Sequence, residues 1–120
     1  GLVAFVGVGH DDLIADAERM AAKTAALRIF PDPGGGPERS VIDVAAAVLV
    51  VSQFTLMGDT RKGNRPSWSA AADPLRAEPC VAAFATTLRR HGVEVACGRF
   101  GAHMEVALVG DGPMTVMLTT

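Results

Sequence analysis

A single α/β domain, a β-sheet covered by two main helices, is what this chain should build. Apolar, β-branched runs at Leu2–Val8 and Val48–Val51, an amphipathic helical stretch after each, and glycine- and proline-rich punctuation between them lead to that reading. The 120 residues fit one domain and not two. A composition of 49% hydrophobic and 20% charged residues supplies a core and argues against disorder. The longest unbroken apolar run, Val44 to Val51, has eight residues, whereas a membrane-spanning helix needs about 20. No membrane partner is expected.

Leu2 to Val8 suits a strand covered on both faces, which Gly7 and Gly9 loosen into a turn. A helix should follow, capped by Asp11 or Asp12. Leu13, Ala17, Met20, Ala21, Thr24 and Leu27 recur at helical spacing, and Asp16, Glu18, Arg19 and Lys23 take the wet side. Pro31-Asp32-Pro33-Gly34-Gly35-Gly36-Pro37 then removes donors and admits positive φ, so regular structure stops in a surface loop.

Val48-Leu49-Val50-Val51 reads as the central strand, running into Ser52-Gln53-Phe54-Thr55-Leu56, where polar groups interrupt the apolar run. Such a change marks a strand end that faces something. A polar stretch from Gly58 to Asp73 precedes a second helix, with Pro79 fitting its first turn better than its interior. Cys80, Phe84 and Leu88 form its apolar stripe, Arg89, Arg90 and His91 bring positive charge to its end, and Gly92 closes it. Alternation predicts two more strands, over Val93–Cys97 and over His103–Leu108, and a last one from Met114 to Thr119. Between the last two, Gly110-Asp111-Gly112-Pro113 is a turn whose Gly-Pro bond is a candidate for the cis form.

Most familiar catalytic signatures are absent: no GxSxG elbow, no HExxH and no P-loop. Gly7-Val8-Gly9 begins like a dinucleotide fingerprint, but Asp12 stands where its third glycine belongs and sets negative charge beside the would-be pyrophosphate. His10, His91 and His103 are scattered over a loop, a helix end and a strand, which offers no metal cluster. Cys80 and Cys97 are too far apart for a CxxC pair; each sits in apolar phase, as Met20, Met104, Met114 and Met117 do, and core packing is the first explanation for all of them.

The overall net charge of −2 argues against a protein that grips nucleic acid over its whole surface. Residues Asp59 to Arg65 differ from the rest, with Arg61, Lys62 and Arg65 set against a single acid. A compact basic loop on an acidic body suits capture of one phosphate-bearing end; a merely solvated loop is the plainer reading. Trp68, the only tryptophan, either stacks a base or anchors this loop to the body, and anchoring is favoured.

Four ordered blocks make the reading specific. Ser52-Gln53-Phe54-Thr55-Leu56; Asp59-Thr60-Arg61-Lys62-Gly63 with Arg65-Pro66-Ser67; Gly98-Arg99-Phe100-Gly101-Ala102; and Asp111-Gly112-Pro113-Met114-Thr115 together resemble the D-aminoacyl-tRNA deacylases, the D-tyrosyl-tRNA(Tyr) deacylase family, over nearly the whole chain. The resemblance implies a cytoplasmic homodimer with its pockets at the interface. It also implies hydrolysis, without a cofactor or metal, of the ester that links a D-amino acid to tRNA, with mischarged glycyl-tRNA accepted too. Carried over to this chain, Ser52, Gln53, Phe54 and Thr55 line the catalytic pocket. Gly112 and Pro113 form the chiral gate of the partner's site, Phe100 and Met104 lie near the terminal adenosine and the aminoacyl group, and Arg61, Lys62 and Arg65 meet tRNA. Family members also carry a strand pair ahead of the position of Gly1, and Gly1-Leu2-Val3 reads as a strand entered partway along; without that pair the sheet has an exposed edge.

Few catalytic side chains are needed for such a reaction. An aminoacyl ester is already activated, so a positioned water and backbone N–H groups near Phe54 and Thr55 for the developing oxyanion suffice, with the tRNA 2′-hydroxyl assisting as is thought for the family. Thr55 as a covalent nucleophile is the weaker alternative, because a hydroxyl without a neighbouring base attacks poorly. If Gly112-Pro113 is cis and turns its carbonyls into the pocket, an L side chain meets them and hydrogen does not. Gly110, His103 and Met114 depart from the family's usual asparagine, aspartate and valine. Two other classes of function compete: a non-catalytic nucleic-acid-binding module working through Arg61, Lys62 and Arg65, and a catalytically silent dimer.

Overall fold

The computed structural model describes residues 1–120. Three strands, β1 (Leu2–Val6), β2 (Ala47–Ser52) and β3 (Glu94–Cys97), form one parallel sheet in the order β1-β2-β3. Helix α1 (Ile14–Ala26) crosses from β1 to β2, and α2 (Pro74–Arg90) from β2 to β3. Strand order equals chain order, and crossovers of the same hand, the rule for parallel strands, lay both helices on one face, where they share a core. There Ala21 and Ala25 of α1, Phe84, Ala85 and Leu88 of α2, and Val48 and Val50 of β2 close into one buried cluster with Val41 and Val93. The small alanines of α1 allow it to approach α2 closely.

One-sided cover corrects the expectation for Leu2–Val8. Leu2, Ala4 and Val6 pack against the helix-side core, but no residue of β1 is fully buried and Phe5, on the opposite face, is 40% exposed. The central-strand reading of Val48–Val51 holds, since β2 is paired on both sides. The stripe of Cys80, Phe84 and Leu88 is buried, and Gly92, at φ 83°, takes the left-handed turn that ends α2.

The helix starts differ from the sequence reading. Asp12 does not cap α1: its carboxylate accepts the N–H of Gly9 at 2.7 Å, and Leu13 occupies the cap position with its N–H bonded to the carboxylate of Asp16. Helix α2 begins at Pro74, with Asp73 accepting from the N–H of Arg76, so Pro79 lies inside it and not in its first turn. Pro74 already fills the proline-tolerant start. Pro79 removes one further ladder bond, close to the exposed end.

The strands read at His103–Leu108 and Met114–Thr119 are absent. From His103 to Thr120 no backbone group bonds another backbone group. Alternation survives in the half-burial of Met104 and Val106 between exposed His103, Glu105 and Ala107, but a ladder needs a neighbouring strand, and this chain sets none beside them. Met114 and Met117 are accordingly not core residues, being 58% and 76% exposed. The radius of gyration, 15.1 Å, exceeds the roughly 13.6 Å of a compact domain this long, as a chain with an unpaired C-terminal stretch would. No helix is long and apolar enough to cross a membrane.

Candidate active site at the carboxyl ends of the strands

All three parallel strands end on the same edge, the usual location of ligand sites in such sheets. Ser52 closes β2 opposite Val6, the last residue of β1, and the N–H of Gln53 extends that ladder to the Val6 carbonyl at 2.8 Å. On the other side the N–H of Gly98 reaches the Val50 carbonyl, also at 2.8 Å. The polar Ser52-Gln53 step thus lies between the Gly7 turn and the Gly98-Arg99-Phe100 turn.

A 3-10 turn over Phe54–Met57 follows immediately. Its first N–H groups, those of Phe54 and Thr55, donate to no group of the chain. The side-chain amide of Gln53 donates to the Thr55 hydroxyl, so the only partner of that hydroxyl is a donor, which cannot accept its proton. Phe54 is 57% exposed, and its ring meets that of Trp68 edge to face, with centroids 5.4 Å apart and planes at 71°. The half-buried Ser52 and Gln53 therefore run without a break into the exposed Phe54 and Thr55.

The other candidate residues divide. Met104 is gathered to the site: its sulfur accepts the N–H of Arg99 at 3.3 Å and packs over Gly98. Phe100 is half-buried and turns to the helix side, against the Val8, Ala77 and Cys80 cluster. Gly112 and Pro113 are exposed, and a Cβ on Gly112 would find only Met114 within 4 Å. The bond between them is cis, and Gly112 has φ 125°.

Arg61, Lys62 and Arg65 sit on an exposed loop pinned at its base by paired hydrogen bonds between Asp59 and Ser67, each 2.8 Å. Arg61 is not free: its guanidinium clasps both oxygens of Asp59, and that contact holds the Asp59 carboxyl below its usual range. Trp68 turns back from the loop onto Phe54 and Gly58, a contact of the kind the anchoring reading expects.

One cysteine corrects the sequence reading. Cys97 is exposed at the end of its strand, where the Arg89 guanidinium donates to its sulfur at 3.7 Å but no apolar cover closes over it. Cys80 is buried as expected, and burial pushes its thiol up. Asp12 already takes the Gly9 N–H that a bound pyrophosphate would need. No three His, Cys, Asp or Glu side chains converge as metal ligands would. Two shallow clefts, of about 430 and 220 Å³, lie along the helices, beside Arg90 and beside Lys23, and neither is lined by the Ser52–Thr55 segment. Sequence reasoning takes Gly7 as loosening the strand into a turn and Gly58 as opening a polar stretch, and misses that the small size of each lets the 3-10 turn settle; a glycine at the end of an apolar strand run and another just before Asp59 are the available signals.

An open parallel-sheet α/β protein, with unpaired backbone donors and a hydroxyl presented at its carboxyl edge, is the class defined by fold and site. The family model described as D-Tyr-tRNA(Tyr) deacylase matches residues 1–119. A D-aminoacyl-tRNA deacylase of Mycolicibacterium smegmatis is 58% identical over 98% of this chain and 79% of its own length. That of Thermomicrobium roseum is 56% identical over 98% and 77%. Among solved structures, one described as c-Myc DNA Unwinding Element Binding Protein superposes with a TM-score of 0.89 at 34% identity, covering 98% of this chain and 80% of that one. A probable eukaryotic D-amino acid tRNA deacylase shares the fold, at TM-score 0.71 and 15% identity over 84% and 75%. The chain belongs to the D-Tyr-tRNA(Tyr) deacylase family, a family of hydrolases.

Proposed function

We propose that this protein hydrolyses the ester of D-aminoacyl-tRNA, releasing free D-amino acid and tRNA, and that it also clears glycyl-tRNA mischarged on non-cognate tRNA. The observation that carries this reading is the pair of unpaired N–H groups at Phe54 and Thr55, beside a half-buried polar strand end, in a chain of this family. Water attacks the ester carbonyl carbon, the two N–H groups receive the charge that develops on its oxygen, and the carbon–oxygen bond to the ribose breaks. The departing ribose oxygen takes up the proton that water loses.

Water is favoured over Thr55 as attacker because the Thr55 hydroxyl has only the Gln53 amide as partner. Ser52 and Gln53 line the pocket, Met104 flanks the aminoacyl group, and Phe100 lies near the terminal adenosine. Lys62 and Arg65, with Arg61, meet tRNA phosphates. The active form is a cytoplasmic homodimer in which Gly112 and Pro113 of one subunit cover the Ser52–Thr55 segment of the other and reject L side chains. The exposure of Phe54 and Thr55 in a single chain supports a site completed by a second copy. Residues 1–120 act as one deacylase domain.

Comparison of D-Tyr-tRNA with L-Tyr-tRNA tests the proposal: free tyrosine should be released from the first only. A second reading, a nucleic-acid-binding module without hydrolysis, is favoured by the exposed basic loop and by the name of the structure that superposes at TM-score 0.89. It would give salt-sensitive binding and no release.

A further inference from the structure

We propose that Trp68 is a positioning residue of this site, its indole seated on Gly58 and holding the ring of Phe54 in place. Gly58 has φ −66°, open to any residue, so its backbone conformation does not demand glycine. Space does. A Cβ there would lie 2.6 Å from Cζ3 of Trp68, 3.2 Å from its Cε3 and 3.0 Å from the Thr55 carbonyl oxygen.

Phe54 opens the 3-10 turn and Gly58 caps its end, so one indole touches both ends of the segment that carries Thr55. Its geometry against Phe54, 5.4 Å and 71°, falls within the range preferred by aromatic pairs. The backbone that carries the indole is itself held. Asp59 and Ser67 exchange two hydrogen bonds on one side of Trp68, and the N–H of Ala71 donates to its carbonyl at 3.0 Å on the other. Trp68 belongs to neither buried cluster and is 42% exposed, so core packing does not account for its size. Fixing Phe54 fixes the edge of the surface on which the Phe54 and Thr55 N–H groups open, and links it to the base of the basic loop.

Trp68 is the only tryptophan of a chain without tyrosine, so intrinsic emission reports on this contact directly. Phe54→Leu should shift the emission to the red. The kinetic arm rests on the deacylase reading: Trp68→Ala should lower kcat for D-Tyr-tRNA about two- to tenfold, the ratio an aromatic pair of ordinary strength supplies. KM should stay unchanged, and Trp68→Phe should recover most of the loss. Unchanged emission in Phe54→Leu, wild-type kcat in Trp68→Ala, a rise in KM alone, or a Trp68→Phe no better than alanine would each overturn the proposal. If Trp68→Ala does not fold by circular dichroism, Trp68→Phe and the emission of Phe54→Leu decide. If the wild-type protein releases no amino acid, the deacylase reading fails while the emission result still decides the Phe54–Trp68 contact.

Discussion

Leu56 lies directly over Gly7: a Cβ on Gly7 would come within 2.9 Å of the Leu56 Cβ and 3.1 Å of the Gln53 carbonyl oxygen. The 3-10 turn can fold back onto the end of β1 only because residue 7 has no side chain. Gly7→Ala must therefore push the Gln53 backbone outward. It should cost about 1–3 kcal/mol, the range for overpacking, and lower D-Tyr-tRNA hydrolysis. Urea unfolding together with a deacylation assay checks both; an active variant of wild-type stability would mean the turn has slack.

Gly112, at φ 125°, holds a conformation that side-chain-bearing residues rarely adopt. Gly112→Ala should leave the core intact, since the residue is exposed, yet displace the turn and reduce turnover of D-Tyr-tRNA. A variant that hydrolyses D-Tyr-tRNA at the wild-type rate would remove Gly112 from the gate.

The basic loop makes an electrostatic prediction. Lys62→Ala and Arg65→Ala should each weaken tRNA binding and lower the slope of log K against log salt by about 1. Arg61→Ala should do less, because its guanidinium already faces Asp59, and Asp59→Asn should release it and strengthen binding at low salt. Arg61 depresses the folded-state pKa of Asp59, so the clasp is fully present above the unfolded value near 3.8 and is lost only as pH falls through the lower folded value. Binding measured between pH 5 and 8 should then show no titration of this pair.

The two cysteines should separate by reactivity. At pH 8 the exposed Cys97 should react with a thiol reagent at once and the buried Cys80 only after unfolding. With its folded pKa raised above the ordinary 9.0, chiefly by burial, Cys80 contributes stability that is complete below that value and is lost as pH rises beyond it. Equal reactivity of both thiols in the native protein would contradict the packing of α2.

Local pattern carried the sequence reading where burial inside this chain decides the outcome. The Val48–Val51 run became the paired central strand, the Cys80, Phe84 and Leu88 stripe became core, and Gly92 became the helix stop. Where a residue had two comparable partners, pattern could not choose. Asp12 is as good a cap as many, yet it serves the Gly9 N–H, and Pro79 resembled a helix start until Pro74 took that place.

The misses at His103–Leu108 and Met114–Thr119 have a different cause. Alternation states which face is apolar but not what the backbone pairs with, and these stretches pair with nothing in this chain. Cys97 differs for the same reason, as the last residue of a strand whose only recorded side-chain partner there is the exposed Arg89 and not an apolar layer. The Ser52–Thr55 segment was legible because polar residues broke an apolar run, whereas Gly7 and Gly58 were not, since the need for a missing side chain appears only when Leu56 and Trp68 are in place.

Time courses of tyrosine release from D-Tyr-tRNA and from L-Tyr-tRNA, run side by side with the purified protein at neutral pH, bear on everything proposed for the Ser52–Thr55 surface. Rapid release from the D ester with the L ester left intact is the expected result. Equal cleavage of both, or cleavage of neither by a folded protein that still binds tRNA, would contradict it.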